Sequence, residues 1–127
     1  MRKIVIDMQN YLFADAVATA FKNSDYDIEV IRAESPRDTV ELCQIYEPFV
    51  LVMEVTGYAP WKLGERLRLR DEVKALCPNC KIALMVDSNT ERQTAKDIRD
   101  AKKDGLIDQF FYGSMSAEYL MDQIYAM

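Results

Sequence analysis

The run Phe49-Val50-Leu51-Val52-Met53-Glu54-Val55 constrains the fold more than any other stretch of the chain. It is short and almost continuously apolar, Pro48 precedes it, and the loop segment Thr56 to Pro60 follows it. Such a run suits a strand covered on both faces, which is the setting of parallel sheets. Parallel neighbours need long crossovers, usually helical, and the rest of the chain supplies them. Ile4–Ile6 reads as a first strand, and Leu12, Phe13, Ala16, Val17, Ala20 and Phe21 then recur at helical spacing. Asp27–Ile31 alternates apolar and charged residues as a second strand. Ser35-Pro36 places a cap residue before a proline at the first helical position. Val40 and Cys43 supply the inner face of that helix, with Ile45 a further candidate.

Beyond the apolar run, a third helix is expected from Trp61 to Leu76, stopped by Pro78, and Ile82–Val86 is a fourth strand. Ser88-Asn89-Thr90-Glu91 has the form of a capping box and starts a helix that ends at Gly105. Gln109–Tyr112 is a short fifth strand, and Ser116 caps a last helix with Leu120 and Ile124 facing inward. Strands alternating with helices imply an α/β class with right-handed crossovers. The expected architecture is one doubly wound, five-stranded parallel sheet of flavodoxin-like order 2-1-3-4-5 with five helices. Residues 1–127 show no repeat, linker or low-complexity tract and read as one domain.

The formal net charge of -5 provides no overall field toward nucleic acid or anionic lipid, so neither is expected as a partner. Arg66, Arg68, Arg70 and Lys74 are a local basic group; alternating with Leu67, Leu69 and Val73, they read as a solvated helix face. The apolar run after the N-terminal Arg2-Lys3 ends at Asp7, too short for a signal-peptide core, and nothing approaches a membrane span. A cytoplasmic location is the default expectation. Three cysteines, an odd number, argue against a disulfide framework. Cys77-Pro78-Asn79-Cys80 is a C-x-x-C, but it follows a helix and leads into a strand, the reverse of the redox-active arrangement. A structural zinc would need two more ligands, and with no histidine only Cys43 remains. A reduced pair in a loop is the expectation.

In open α/β sheets the functional crevice lies at the carboxyl ends of the strands, near the switch in strand order. Asp7, Met8 and Gln9 follow strand one, Glu54 ends strand three, Asp87 and Ser88 follow strand four, and Tyr112 and Gly113 follow strand five. Converging carboxylates there could hold Mg²⁺. Alternatively, Asp7 and Asp87 bond to loop amides or cap helices, and this reading is favoured.

The order and spacing of these segments resemble the receiver domain of bacterial two-component response regulators across essentially the whole chain. Lys3-Ile4-Val5-Ile6-Asp7-Met8-Gln9-Asn10-Tyr11-Leu12-Phe13 is similar to the family's first strand, acid pair and opening helix. Glu47-Pro48 with the apolar run through Val55 is similar to its third strand, and Asp104-Gly105-Leu106 with the following strand and capped helix resembles its end. The resemblance implies a phosphoryl-transfer site of five side chains. An acid pair and the aspartate ending strand three bind Mg²⁺, and that aspartate accepts the phosphoryl group. A Ser or Thr after strand four and a Lys after strand five hold phosphoryl oxygens, because this chemistry depends on positioning and charge compensation.

Carried over by position, the acid pair falls on Met8 and Gln9, with Asp7 retained only by a one-residue shift. The phosphoacceptor position is Glu54, and the Ser/Thr position is Val86, with Asp87 next to it and Ser88 two residues on. The lysine position is Tyr112, or Phe111 with a slip, and Gly113 replaces the usual proline. The loop from Thr56 to Gly64 departs from the family pattern by its greater length. The expectation is a degenerate receiver of pseudo-receiver type: not an enzyme, with no cofactor, and with metal, if any, at Asp7 and Glu54. The carboxylate of Glu54 could imitate a phosphorylated state, though with one charge and fewer acceptor oxygens.

By the same resemblance, output would run through the face of helix four, strand five and helix five. Met115, Tyr119, Met121 and Tyr125, with Tyr112, put adaptable interface residue types there for a protein partner or a homodimer. Two alternatives stay open: an atypical response regulator that accepts phosphate with Mg²⁺, and a small ligand-binding protein on a flavodoxin-like fold. Scattered glycines and the absence of histidine weigh against the latter.

Overall fold

A computed structural model describes residues 1–86 and 92–127. The strands are β1 (Arg2–Asp7), β2 (Ile28–Arg32), β3 (Val50–Val55), β4 (Lys81–Val86) and β5 (Gln109–Tyr112). They alternate with helices α1 (Tyr11–Lys22), α2 (Pro36–Tyr46), α3 (Leu63–Leu76), α4 (Arg92–Lys103) and α5 (Ala117–Tyr125). The sheet is wholly parallel in the order β2-β1-β3-β4-β5, as the alternation of elements predicts. Register pairs Ile4 with both Val30 and Val50, Met53 with Leu84, and Val86 with Tyr112. Among the described residues, no helix is long and apolar enough to cross a membrane.

Side chains alternate across the strands and so build two cores, one on each face. Ile4, Ile6, Met8, Val50, Val52 and Met85 meet α1 and α5 on one face, through residues that include Val17, Phe21, Leu120 and Ile124. Val5, Leu51, Met53, Val55, Leu84 and Val86 meet α2, α3 and α4 on the other, through Cys43, Val73, Ile98 and Ala101. Val50 to Met53 are completely buried, in keeping with a central strand covered on both sides.

The helices differ from expectation in detail. Leu12 and Ala16 point outward, Leu12 being 83% exposed, and the inward stripe of α1 is Ala14, Val17 and Phe21. In α2 the stripe is Pro36, Thr39 and Cys43, and Ile45 is exposed. Helix α3 starts at Leu63, not Trp61, because Trp61 closes a turn with its amide on the Tyr58 carbonyl. Asn10 caps α1 by accepting the Phe13 amide, and Ser116 caps α5 by accepting that of Tyr119. Gly105 takes the left-handed conformation, φ +79°, after α4, and the Leu106 amide returns to the Ala101 carbonyl. The capping box at 88–91 lies outside the described residues.

Candidate functional site at the carboxyl edge of the sheet

The site positions fall at the ends of β1, β3, β4 and β5, and strand alternation decides which of them can meet. Asp7 follows Val5 by two residues and therefore shares the α2/α3 face; Glu54 follows Val52 and shares the α1/α5 face. The two carboxylates consequently leave the sheet on opposite sides, each to a different set of partners.

Asp7 is buried, 1% exposed, against a fully buried arginine, Arg66 of α3. The guanidinium forms a fork on the carboxylate, Nη1 at 2.6 Å from Oδ2 and Nη2 at 3.2 Å from Oδ1. Its remaining donors reach backbone: Nη2 to the Asp7 carbonyl at 3.1 Å, and Nε to the Glu54 carbonyl at 2.7 Å. Thr39 of α2 donates its hydroxyl to Oδ2 at 2.6 Å. Buried charges persist in folded proteins when paired and fully hydrogen-bonded. Among the described residues no buried side-chain nitrogen or oxygen lacks a partner. One side chain from α3 thus ties the ends of β1 and β3 together.

Glu54 is half-buried, and its Oε1 accepts the amides of Gln9 at 2.6 Å and Asn10 at 3.0 Å. Asn10 is the cap of α1, so the carboxylate binds the approach to a helix N-terminus, where partial positive charge favours an anion. It pins the β1–α1 loop to the end of β3.

The other positions offer little polar chemistry. Met8 is 5% exposed and packs in the α1/α5 core, while Gln9 is exposed and contributes its backbone amide. Val86 lies in the opposite core, and the Gly113 amide bonds to its carbonyl at 2.7 Å. Tyr112 is 42% exposed, with its ring edge-on to Phe110 at 5.9 Å between centroids. Asp87 and Ser88 lie outside the described residues. The pair expected to hold Mg²⁺, Asp7 and Glu54, does not fit a common ion, since the two carboxylates face opposite sides of the sheet. Among the described residues, no group of three or more acidic, cysteine or histidine side chains is arranged to hold a metal.

Arg66 corrects the sequence reading, which placed it on a solvated face with Arg68, Arg70 and Lys74. Its spacing of seven from Val73, the other buried residue of α3, is the signal that could have found it. Thr39 was missed for a similar reason: Val40 looks like the inward residue, but the stripe through Pro36 and Cys43 passes through position 39.

The proposed output face also divides. Met121 is 9% exposed and belongs to the core, and Met115 packs against that core. Tyr125 stacks on Tyr26 at 3.8 Å, with the Arg2 guanidinium 4.8 Å from its ring, so it is engaged within the chain. Tyr119, 52% exposed, and Tyr112 remain at the surface.

Comparison with known protein families finds no match, and comparison with curated proteins finds none either. Solved structures do match over nearly the whole chain. A response regulator from Thermotoga maritima superposes with a TM-score of 0.75 at 15% identity, covering 99% of this chain and 97% of that one. A CheY-like response regulator receiver domain protein from Methanospirillum hungatei JF-1 gives 0.76 at 11% identity, covering 99% and 92%. A structure described as adenylate cyclase from Rhodopirellula baltica gives 0.75 at 16% identity, covering 98% and 85%. The chain therefore has the receiver-type, flavodoxin-like fold. At these identities the likeness is one of fold, and function has to be argued from the site.

Proposed function

We propose that this chain is a receiver-like signalling module that acts by protein–protein contact, without accepting a phosphoryl group and without Mg²⁺ or another cofactor. The observation that carries this reading is the disposition of Asp7 and Glu54. One carboxylate is buried on Arg66 and Thr39, and the other is held by the Gln9 and Asn10 amides. Phosphoryl transfer to a carboxylate needs that group free and a cation to offset charge on the transferred oxygens. Met8 and Tyr112 supply neither a ligand nor a cation at the positions where the receiver pattern has them. The neighbours described as response regulators support a signalling role by fold.

Glu54 serves this reading as a fixed strut more than as an imitation of a phosphoryl group, because its bonds run to its own β1–α1 loop. A partner, or a second copy, would dock on the α4–β5–α5 face, where Tyr112 and Tyr119 present exposed rings. The test is an amide NMR titration of the chain, first with Mg²⁺ and then with beryllofluoride or acetyl phosphate. Unmoved amides of Gln9, Asn10 and residues 54–56 are expected. Saturable shifts spreading from Glu54 to Tyr112 would overturn the reading and restore a working phosphoryl switch.

A further inference from the structure

Helix α4 buries Ile98 and Ala101 against the sheet and turns a charged surface outward. The centre line of that surface runs through Gln93, Lys96, Asp100 and Lys103, at alternating spacings of three and four residues. Arg92 and Arg99 lie along one flank of the line, Asp97 and Asp104 along the other, and all of these residues are exposed. Asp104 shares the surface because its amide still bonds to the Asp100 carbonyl, at 2.8 Å. Such segregation is unfavourable in a lone helix. Arg92, Lys96, Arg99 and Lys103 follow one another three or four residues apart, as do Asp97, Asp100 and Asp104, so like charges are neighbours. Lys96 pairs with Asp100 at 3.3 Å, and Gln93 donates to Asp97 at 2.8 Å. Among the described residues, Arg92, Arg99, Lys103 and Asp104 make no ion pair.

We propose that two copies of this chain pair through α4, with the two helices side by side and parallel about a twofold axis. In a parallel pair, a residue on one flank meets the residue five positions later on the opposite flank of its neighbour. From Arg92 that residue is the partner's Asp97, and from Arg99 it is the partner's Asp104. The twofold axis makes each contact twice. In an antiparallel pair the same flanks would meet, Arg against Arg and Asp against Asp, so the charges fix the orientation as well as the partner. A polyanion does not match this surface, because Asp97, Asp100 and Asp104 stand beside the basic flank and the chain carries a net charge of -5. The centre line is polar where a stable coiled coil is apolar, and exposed ion pairs contribute little each, so the pairing is weak and sensitive to salt. It rests on the reading of the chain as a protein-contact module and names the occupant of α4 as a second copy.

Sedimentation equilibrium of the full-length chain tests the pairing. A dimer is expected that weakens at least about tenfold as salt rises from about 0.01 M to about 1 M, where the screening length falls from about 30 Å to about 3 Å. Arg92→Glu/Arg99→Glu and Asp97→Arg/Asp104→Arg should each be monomeric, and an equal mixture of the two should dimerise. Exchanging the flanks within one chain, Arg92→Asp/Asp97→Arg/Arg99→Asp/Asp104→Arg, reads the orientation. This chain should pair with itself and not with a fluorescently labelled parent. Pairing with the parent in place of itself would show antiparallel helices and overturn the proposal. So would a dimer that survives Arg92→Glu/Arg99→Glu, or a parent chain still monomeric at about 1 mM. A monomeric parent would leave the receiver-like reading intact, since the titration with Mg²⁺ and beryllofluoride judges that separately. The parent chain carries the first measurement, so a variant that fails to fold does not blunt it.

Discussion

Replacing Arg66 by methionine tests whether Asp7 is a structural residue or a ligand. The substitution keeps a long side chain in the α3 stripe but removes every donor that holds the Asp7 carboxylate except the Thr39 hydroxyl. Breaking a buried ion pair from one side costs about 3–5 kcal/mol. The Glu54 carbonyl also loses the Nε donor, which adds about 1 kcal/mol. A loss of about 4–6 kcal/mol is large beside the 5–15 kcal/mol or so that holds a typical domain together. Arg66→Met should therefore be marginally folded at neutral pH. Arg66→Lys should fall between it and the unsubstituted chain, keeping the charge but not the fork.

The double variant Asp7→Leu/Arg66→Met separates the charge from the packing. It removes the stranded carboxylate and leaves two backbone carbonyls short of a donor and the Thr39 hydroxyl short of an acceptor, so it should lie within about 1–3 kcal/mol of the parent. The assay is urea unfolding followed by far-ultraviolet circular dichroism, read as a double-mutant cycle. A favourable coupling of at least about 2 kcal/mol is expected. An Arg66→Met chain within about 1 kcal/mol of the parent would refute the reasoning, as would a double variant as unstable as the sum of the singles. Either result would return Asp7 to the list of free carboxylates.

Further expectations concern the other contacts. Glu54→Ala should cost about 1–2 kcal/mol and speed hydrogen exchange at the Gln9 and Asn10 amides; unchanged exchange there would deny the strut. Met121→Ala should destabilise by about 2–5 kcal/mol, whereas Tyr119→Ala should stay within about 0.5 kcal/mol, and equal effects in thermal unfolding would contradict the assignment of core and surface. The Tyr26 hydroxyl donates to the Asp122 carboxylate at 2.8 Å, and that bond, with a lesser contribution from burial, raises its pKa above the usual 10.0. A raised native pKa means the contact contributes fully below the ordinary phenol range and is lost as pH rises through the native value. Alkaline ultraviolet difference titration should show a late-ionising tyrosine that disappears in Tyr26→Phe; identical curves would refute it.

Most of the fold was legible because its signals are local. Short apolar runs, Pro48, Ser35-Pro36, Ser116 and Gly105 mark element ends by backbone geometry and capping, and these depend on neighbouring residues alone. The errors fell where apolar identity and burial part company. Leu12, Ile45 and Met121 were assigned by type, yet a helix face is chosen by its whole stripe, and Ala14, Thr39 and Ile124 define the stripes. Arg66 is the sharpest case. A charged residue is rarely fully buried, and the partner that permits it lies 59 residues earlier in the chain.

The same distance explains why the site was only half legible. The sequence places Asp7 and Glu54 at the ends of adjacent strands, which invites a shared metal. Register supplies what is missing: Asp7 pairs with Met53, so Glu54 sits one residue out of phase and emerges on the other face. Moving either carboxylate by one position would put both on the same side. That displacement sends the two carboxylates to opposite faces, each to its own partners within the protein. Arg66 holds Asp7 from α3 on one face, and the α1 approach holds Glu54 on the other. The cation that holds Asp7 and the amide donors that hold Glu54 Oε1 both belong to the chain itself.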